Sequence, residues 1–192
     1  MIGCPFVRQD DAVRDHLAIR AATPGDAPAI QAIYAPIVEQ TVISFEAVPP
    51  TVSEVAARIR ATTEHLPWLV AEIGDEVIGY AYASRHSDRA AYRWSVDVSL
   101  YIAEVWRGQN VGTALYLALF AELRALGFVS AYAGITMPNV ESVAVHEKLG
   151  FGHIGRFPNA GFKHGSWHDV GWWHLALQPP PEVPPEPTRW QP

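Results

Sequence analysis

Between Trp94 and Ile102 apolar and polar residues alternate one for one, with Trp94, Val96, Val98, Leu100 and Ile102 set against Ser95, Asp97, Ser99 and Tyr101. A period of two is that of a strand with one buried face, and it turns Asp97 away from the valines. After Arg107 the period lengthens. Leu115, Leu119, Leu123 and Leu126 form one stripe of a helix that should stop at Gly127 in a left-handed cap. Upstream, Leu17 to Ala21 reads as a strand. Thr23 and Pro24 open a helix to about Glu39, and Thr51 with Glu54 forms a capping box for a second helix that ends before Pro67. Trp68 to Ile73 and Val77 to Ala83 flank Gly74-Asp75-Glu76 as a hairpin. Downstream the pattern predicts a strand from Ser130 to Thr136 and a helix from Val140 to Leu149, stopped at Gly150. Two late strands follow, near Gly152 to Phe157 and Asp169 to Leu177. The order implies an α/β (α+β) domain, a mixed sheet of about seven strands flanked by about four helices.

The ends lack this patterning. Residues 1–16 read as an N-terminal extension, residues 17–178 as the domain, and 179–192 as a Pro-rich, polyproline-like and flexible tail. At 192 residues and 49% hydrophobic, the chain suits one domain with a substantial core. Its net charge of −6, with 14 Lys and Arg against 20 Asp and Glu, argues against nucleic acid as a partner. It does not exclude one anionic cofactor, since backbone amides at a helix start hold phosphate without net positive charge. Cys4 is the only cysteine, which fits a reducing, cytoplasmic setting and no paired-cysteine metal site. No apolar run approaches the roughly 20 residues of a membrane helix, so neither a signal peptide nor a membrane span is expected.

The segment most suggestive of chemistry runs from Leu100 through Tyr101 and Ile102 to Arg107, Gly108, Gln109, Asn110, Val111, Gly112 and Thr113. It is strand, glycine-containing turn, then helix, and it aims unpaired amides at one point where an anion belongs. A tight connection with ordinary turn glycines is the plain alternative. The segment resembles the acetyl-CoA turn of the GNAT acetyltransferases, with Arg107, Asn110 and Gly112 at the places of Arg or Gln, Gly, and Gly or Ala. Asn110 departs from that pattern, although Asn tolerates positive φ best among non-glycine residues. Asn139 to Phe151 resembles the second cofactor element of the superfamily, in which Asn139 and Ser142 open a helix that ends at Gly-Phe. By this resemblance the fold is the GNAT fold and the co-substrate is acetyl-CoA.

Ala160 to Trp173, Thr41 to Glu46, Tyr80 to Ala83 and Arg89 to Trp94 are similar to the phosphinothricin and methionine sulfoximine N-acetyltransferases. That family implies a carboxylate base on the fourth strand, where Asp97 replaces the usual Glu. Being one methylene shorter, Asp97 is expected to act through water. His146 stands where many GNAT members have a Tyr acid, so it either protonates the leaving thiolate or holds substrate. The resemblance further implies Arg89 as ligand of the anionic end of the substrate, with Phe45, Tyr92 and Ser99 as substrate contacts. The substrate implied is an amino acid of the phosphinothricin or methionine sulfone type, and the assembly a homodimer. Another amino acid, a peptide amine, or a non-catalytic acetyl-CoA-binding module are the alternatives. His164 and His168 have a spacing that on a helix would suit zinc, but their glycine- and aromatic-rich surroundings do not make a helix, so no metal is expected.

Overall fold

The computed structural model describes residues 16–191. Within them lie seven strands, β1 (Leu17–Ala21), β2 (Trp68–Ile73), β3 (Glu76–Arg85), β4 (Ser95–Ile102), β5 (Ser130–Met137), β6 (Gly152–Lys163) and β7 (Ser166–Ala176). The helices are α1 (Ala27–Gln40), α2 (Val52–Thr63), α3 (Val111–Ala125) and α4 (Val140–Lys148). The expected N-terminal extension falls almost wholly outside the described residues, as does Cys4.

The strands form one sheet in the order β1-β2-β3-β4-β5-β7-β6, antiparallel except for β4 beside β5. Helices α1 and α2 cover one face with Ile30, Val55 and Ile59 against Trp68, Val70 and Tyr80. Helix α3 covers the other, where Leu115, Tyr116, Leu119, Phe120 and Leu123 pack on Ala71, Ile78, Ala81, Val96 and Val98. This alternation carries Asp97, Ser99 and Tyr101 onto the α1/α2 side, as the strand period requires. A bulge helps: Val77 pairs with Glu72 and Gly79 with Ala71, leaving Ile78 as the extra residue. A Cβ on Gly79 would lie 2.5 Å from Ile102 Cδ1 and 3.1 Å from Tyr101 O, so a larger residue there would displace the Ile102 side chain.

The helix ends follow the local chemistry. Thr51 Oγ1 accepts from Glu54 N at 3.2 Å while Glu54 Oε2 accepts from Thr51 N at 2.7 Å, which completes the capping box. Gly127 and Gly150 close α3 and α4 with φ of 91° and 93°.

Two expectations are corrected. The late strands are longer than their patterns suggested and meet at a two-residue turn, His164-Gly165, with φ of 50° and 77°. Both positive φ values match the turn that suits the twist of a hairpin. Lys163 pins this hairpin to the end of α1, donating to Val38 O at 2.6 Å and Ser44 O at 2.7 Å.

Nor is the Pro-rich tail a flexible extension. It has no regular element, yet Thr188 N donates to Leu126 O at 2.9 Å and Trp190 N to His65 O at 3.2 Å. Trp190 is buried in the main core, its Nε1 donating to Glu122 at 3.1 Å. Upstream, the carbonyl of Pro185 accepts from Trp94 Nε1 at 2.7 Å, and Glu186 pairs with Arg93. Proline content signalled an extended backbone and said nothing of what the tryptophan at its end would find.

Candidate active site

Strands β4 and β5 pair only from Ser95↔Ser130 to Asp97↔Tyr132 and then part. Beyond Asp97 the side of β4 that faced β5 has no strand partner, and its polar backbone groups are left for a ligand. The opening is lined by Ser99, Leu100 and Tyr101 from β4, Gly134 and Thr136 from β5, and His146 from α4. It adjoins a groove of about 470 Å³ between the start of α3 and the first turns of α4. Leu100, Tyr101, Asn139, Ser142 and His146 line both spaces.

The groove contains the expected turn. Leu100, Tyr101, Ile102, Arg107, Gly108, Asn110, Val111, Gly112 and Thr113 all face it, as do Asn139 and Ser142. Asn110 is the residue before α3 and holds φ 61°, ψ 7°, the left-handed conformation that glycine would otherwise supply. The first intrahelical bond runs from Ala114 N to Asn110 O at 3.1 Å. The amides of Val111, Gly112 and Thr113 therefore have no partner within the helix. With the helix dipole behind them they form a site for an anion. A Cβ on Gly112 would come within 2.9 Å of Leu100 Cδ2, so a side chain there would press on Leu100, which also lines the groove. Asn139 caps α4, accepting from Ser142 N at 3.1 Å. Gln109 is the exception: its amide folds back to Val105 O at 3.0 Å and is not among the groove residues.

Lys148 was not foreseen. From the last turn of α4 its ammonium donates to Asn110 Oδ1 at 3.0 Å, placing a positive charge at the groove beside the turn. The contact spans 38 positions, and no local pattern signals it.

His146 is buried and doubly engaged. Its Nδ1 donates to Ser142 O at 2.7 Å, and its Nε2 accepts from Tyr116 OH at 3.0 Å. Burial holds its pKa below the usual histidine range, against the smaller opposing pull of the Ser142 carbonyl. It is thus a neutral imidazole with its one proton on Nδ1. An acid role at this corner requires the Tyr116 hydroxyl, which lines the same opening, to turn from the imidazole.

The expected substrate residues separate. Asp97 stands where the strands part, and Ser99 lies two residues on, about 6.6 Å further along the strand. Asp97 Oδ1 is 2.7 Å from His86 Nδ1, a partner not foreseen. His86 follows β3 directly; its ring lies on Tyr132 at 4.5 Å and meets the edges of Tyr92 at 5.6 Å and Trp172 at 6.2 Å. Burial pushes the Asp97 carboxyl up from its usual range, and the hydrogen bond from His86 partly opposes that. Tyr92 thus reaches the Asp97 neighbourhood through His86. Phe45 packs instead on the hairpin, its ring filling the space a Cβ on Gly161 would need, at 2.4 Å. Arg89 faces a separate cavity of about 400 Å³ under the tail, with Arg85, Arg93 and Arg189. Within one chain, therefore, Arg89 is not among the residues of the β4/β5 opening. The loop of residues 86–94 is held by the tail at Arg93 and Trp94, a contact invisible to short-range pattern.

His164 and His168 are placed by the backbone, their Nε2 atoms lying 3.3 Å from Thr41 O and 3.0 Å from Lys163 O. No helix among the described residues is long and apolar enough to cross a membrane.

Comparison with known proteins agrees with this geometry. Residues 19–172 match the model of an acetyltransferase (GNAT) domain. A phosphinothricin N-acetyltransferase of Streptomyces viridochromogenes is 37% identical over 92% of this chain and 95% of that protein. An L-methionine sulfoximine/L-methionine sulfone acetyltransferase of Pseudomonas paraeruginosa is 32% identical over 87% of this chain and 98% of its own length. Among solved structures, a phosphinothricin acetyltransferase of Sinorhizobium meliloti in complex with acetyl-CoA superposes with a TM-score of 0.82 at 35% identity, covering 88% of this chain and 95% of that one. With the parted strands, the amide-lined turn and these likenesses together, the chain belongs to the GNAT acetyltransferases, in the family of phosphinothricin and methionine sulfoximine N-acetyltransferases.

Proposed function

We propose that this acetyltransferase moves the acetyl group of acetyl-CoA to the α-amino group of an L-amino acid with a tetrahedral polar side chain, of the phosphinothricin, methionine sulfoximine or methionine sulfone type. The observation that carries the reading is the continuity of groove and opening. Leu100, Tyr101, Asn139, Ser142 and His146 line both, so a thioester whose phosphates sit on the α3 turn has its acyl end beside β4, along the stretch that begins just after Asp97. The names of the relatives supply the class of amine.

In this reading the amides of Val111, Gly112 and Thr113, with Arg107 and Lys148, hold the pyrophosphate. Backbone groups from Leu100 to Ile102 hold the pantetheine arm, and one amide there polarises the thioester carbonyl. Asp97, with His86, supplies the base that takes a proton from the substrate ammonium. The free amine attacks the carbonyl carbon, the tetrahedral species collapses, and coenzyme A leaves as a thiolate that takes up a proton. Tyr116, hydrogen-bonded to His146, and Ser142 bring hydroxyls to the opening, and Ser99 is the substrate contact on β4.

A homodimer is supported by the exposed hairpin, where Ile154, Phe157, Phe162 and Trp167 are 56%, 58%, 61% and 62% exposed. Clustered apolar surface of this kind marks an interface. A cytoplasmic setting is supported by the single cysteine. Neither nucleic acid nor a membrane has a part in the reading.

Purified protein with acetyl-CoA should acetylate phosphinothricin and methionine sulfone, seen as free thiol release and as product mass. Peptide N-termini and ordinary amino acids should be turned over at least about tenfold less efficiently by kcat/KM. A preference for peptides would overturn the choice of substrate, and acetyl-CoA binding without turnover of any amine would overturn the enzymatic reading.

A further inference from the structure

We infer that the atom that takes the substrate proton is Nε2 of His86, and that Asp97 is the carboxylate that orients this imidazole. The inference rests on the acetyl-transfer reading above and assigns a catalytic residue that the sequence pattern did not single out.

The first support is the direction of the pair. A carboxylate accepts and does not donate, so the 2.7 Å contact between Asp97 Oδ1 and His86 Nδ1 places the proton of a neutral imidazole on Nδ1. The lone pair of Nε2 then has no protein partner among the described residues. His86 and Asp97 keep 25% and 31% of their side-chain surface exposed, so the pair is reachable from outside. His146 is the contrast. It shares the Nδ1-protonated form, but its Nε2 is taken by Tyr116 and its side chain is buried.

The second support is rigidity. The His86 ring lies on Tyr132 with planes 26° apart, and Trp172 meets it edge-on at 89°. Tyr92 approaches from the loop at 60°. Tyr132 is the register partner of Asp97 across the last paired step of β4 and β5, so the surface on which the imidazole rests sits where the strands part. A base held by packing and by a carboxylate is already in its working orientation before substrate arrives.

The third support is chemical. Asp97 is one methylene shorter than the carboxylate expected at its position, and one of its oxygens is occupied by His86. The imidazole extends the basic function past the carboxylate. The step balances: the N–H bond of the ammonium breaks, an Nε2–H bond forms, and Asp97 stabilises the imidazolium. The nitrogen lone pair forms the amide bond, the C–S bond breaks, and the thiolate takes a proton. The imidazolium then returns its proton to solvent.

The test uses the full-length protein with methionine sulfone or phosphinothricin and acetyl-CoA, comparing wild type with His86→Ala, His86→Gln and Asp97→Asn across about two pH units either side of neutrality. His86→Ala should lower kcat by about 10²-fold or more with acetyl-CoA affinity unchanged. Added imidazole should restore part of the rate to His86→Ala in proportion to its unprotonated fraction, an effect that a merely structural histidine would not show. His86→Gln, which preserves volume and a donor, should stay as slow as His86→Ala. The inference is overturned if His86→Gln keeps kcat within about threefold with an unchanged acid limb while Asp97→Asn is inactive, because Asp97 would then take the proton itself. Nitrogen NMR of the His86 ring gives a readout independent of turnover. A neutral form protonated on Nδ1 supports the pair, and one protonated on Nε2 overturns it even if none of the amines proves a substrate, whereas absent turnover with the Nδ1 form condemns only the substrate reading.

Discussion

The groove proposed for acetyl-CoA and the side of β4 proposed for the amine share one strand but are built from different materials. The groove is largely backbone: amides of the α3 turn, the residues opening α4, and Gly112 set close against Leu100. Its parts lie in two short segments, each fixed by its own helix start. The amine side is built of side chains. Asp97, His86, Tyr132, Trp172 and Tyr92 come from four strands and loops and meet through rings and a single charged hydrogen bond. Backbone sites depend on local conformation and tolerate changes of side chain, whereas side-chain sites depend on remote packing. That difference makes the amine side the more fragile and the more adjustable of the two.

The largest expected effect tests that dependence from a distance. Trp190→Ala removes a buried indole from the core and loosens the tail that holds Arg93 and Trp94. The loss should be about 3 kcal/mol or more, as for other buried aromatic residues cut to alanine. In a domain of this size that is a fall in Tm of about 6–12 °C by calorimetry. Below the new Tm, KM for the amine should rise several-fold while acetyl-CoA affinity stays within about twofold. Equal losses on both sides would end the distinction.

Next comes Asp97→Ala, expected to lower kcat by about 10²-fold or more, near 2.7 kcal/mol, with acetyl-CoA affinity unchanged by calorimetric titration. Its stability should move the other way. A carboxyl pushed up by burial has an ionised form that the fold disfavours, so Asp97→Asn should melt at or above the wild-type temperature at neutral pH. A variant that lost both activity and several degrees would show that Asp97 holds the structure together.

The same contrast decided what was legible in the sequence. The alternation from Trp94 to Ile102 placed Asp97 on the correct face, and the capping box at Thr51 and the stop glycines at 127 and 150 fixed helix ends through local chemistry. The turn and helix-start residues of the groove were named because a turn and a capped helix are local objects, whereas Ile37, Ile43 and Lys148 reach it from elsewhere. Gln109 was named with them and does not belong, because its amide reaches back to Val105 instead of outward. His86 gave no local signal: it sits in a loop among polar residues, and its meaning comes from Asp97 eleven positions on and Tyr132 on another strand. Arg89 shows the converse, since a resemblance can name a residue type but not which cavity its side chain enters in this chain. Tail docking was hidden for the same reason, as composition reports backbone preference while Trp190 acts through tertiary contact.

A smaller effect concerns pH. Burial holds the folded-state pKa of His146 below that of an unfolded histidine, near 6.5. Below that value the unfolded chain takes up a proton that the folded chain resists, so it binds more protons and stability falls as pH drops. His146 thus contributes stability that is full above about 6.5 and is lost on acidification through its lowered folded pKa. Denaturant midpoints should fall from about pH 7 to 5 in wild type and fall less in His146→Gln. Asp97 acts with the opposite sign at lower pH, which confines the histidine signal to the upper part of this range.

The smallest effect concerns Asn110, where the sequence departs from the glycine of related turns. Its φ of 61° is a conformation that costs most residues about 1–2 kcal/mol and Asn less. Glycine there would remove the remaining strain, yet it would also remove Oδ1, which accepts from Lys148 at 3.0 Å and fixes that ammonium at the groove. An exposed hydrogen bond to a charged group is worth about as much as the strain relieved, so the two terms nearly cancel. Asn110→Gly should therefore melt within about 2 °C of wild type and bind acetyl-CoA within about threefold, the small loss arising from the freed Lys148. Asn110→Ala keeps the strain and loses the acceptor, and should cost about 1 kcal/mol of stability with a comparable loss of acetyl-CoA affinity. If the Ala variant binds acetyl-CoA as well as wild type, the Lys148 ammonium held by Oδ1 adds nothing to binding, and the amides of the left-handed turn carry the groove by themselves.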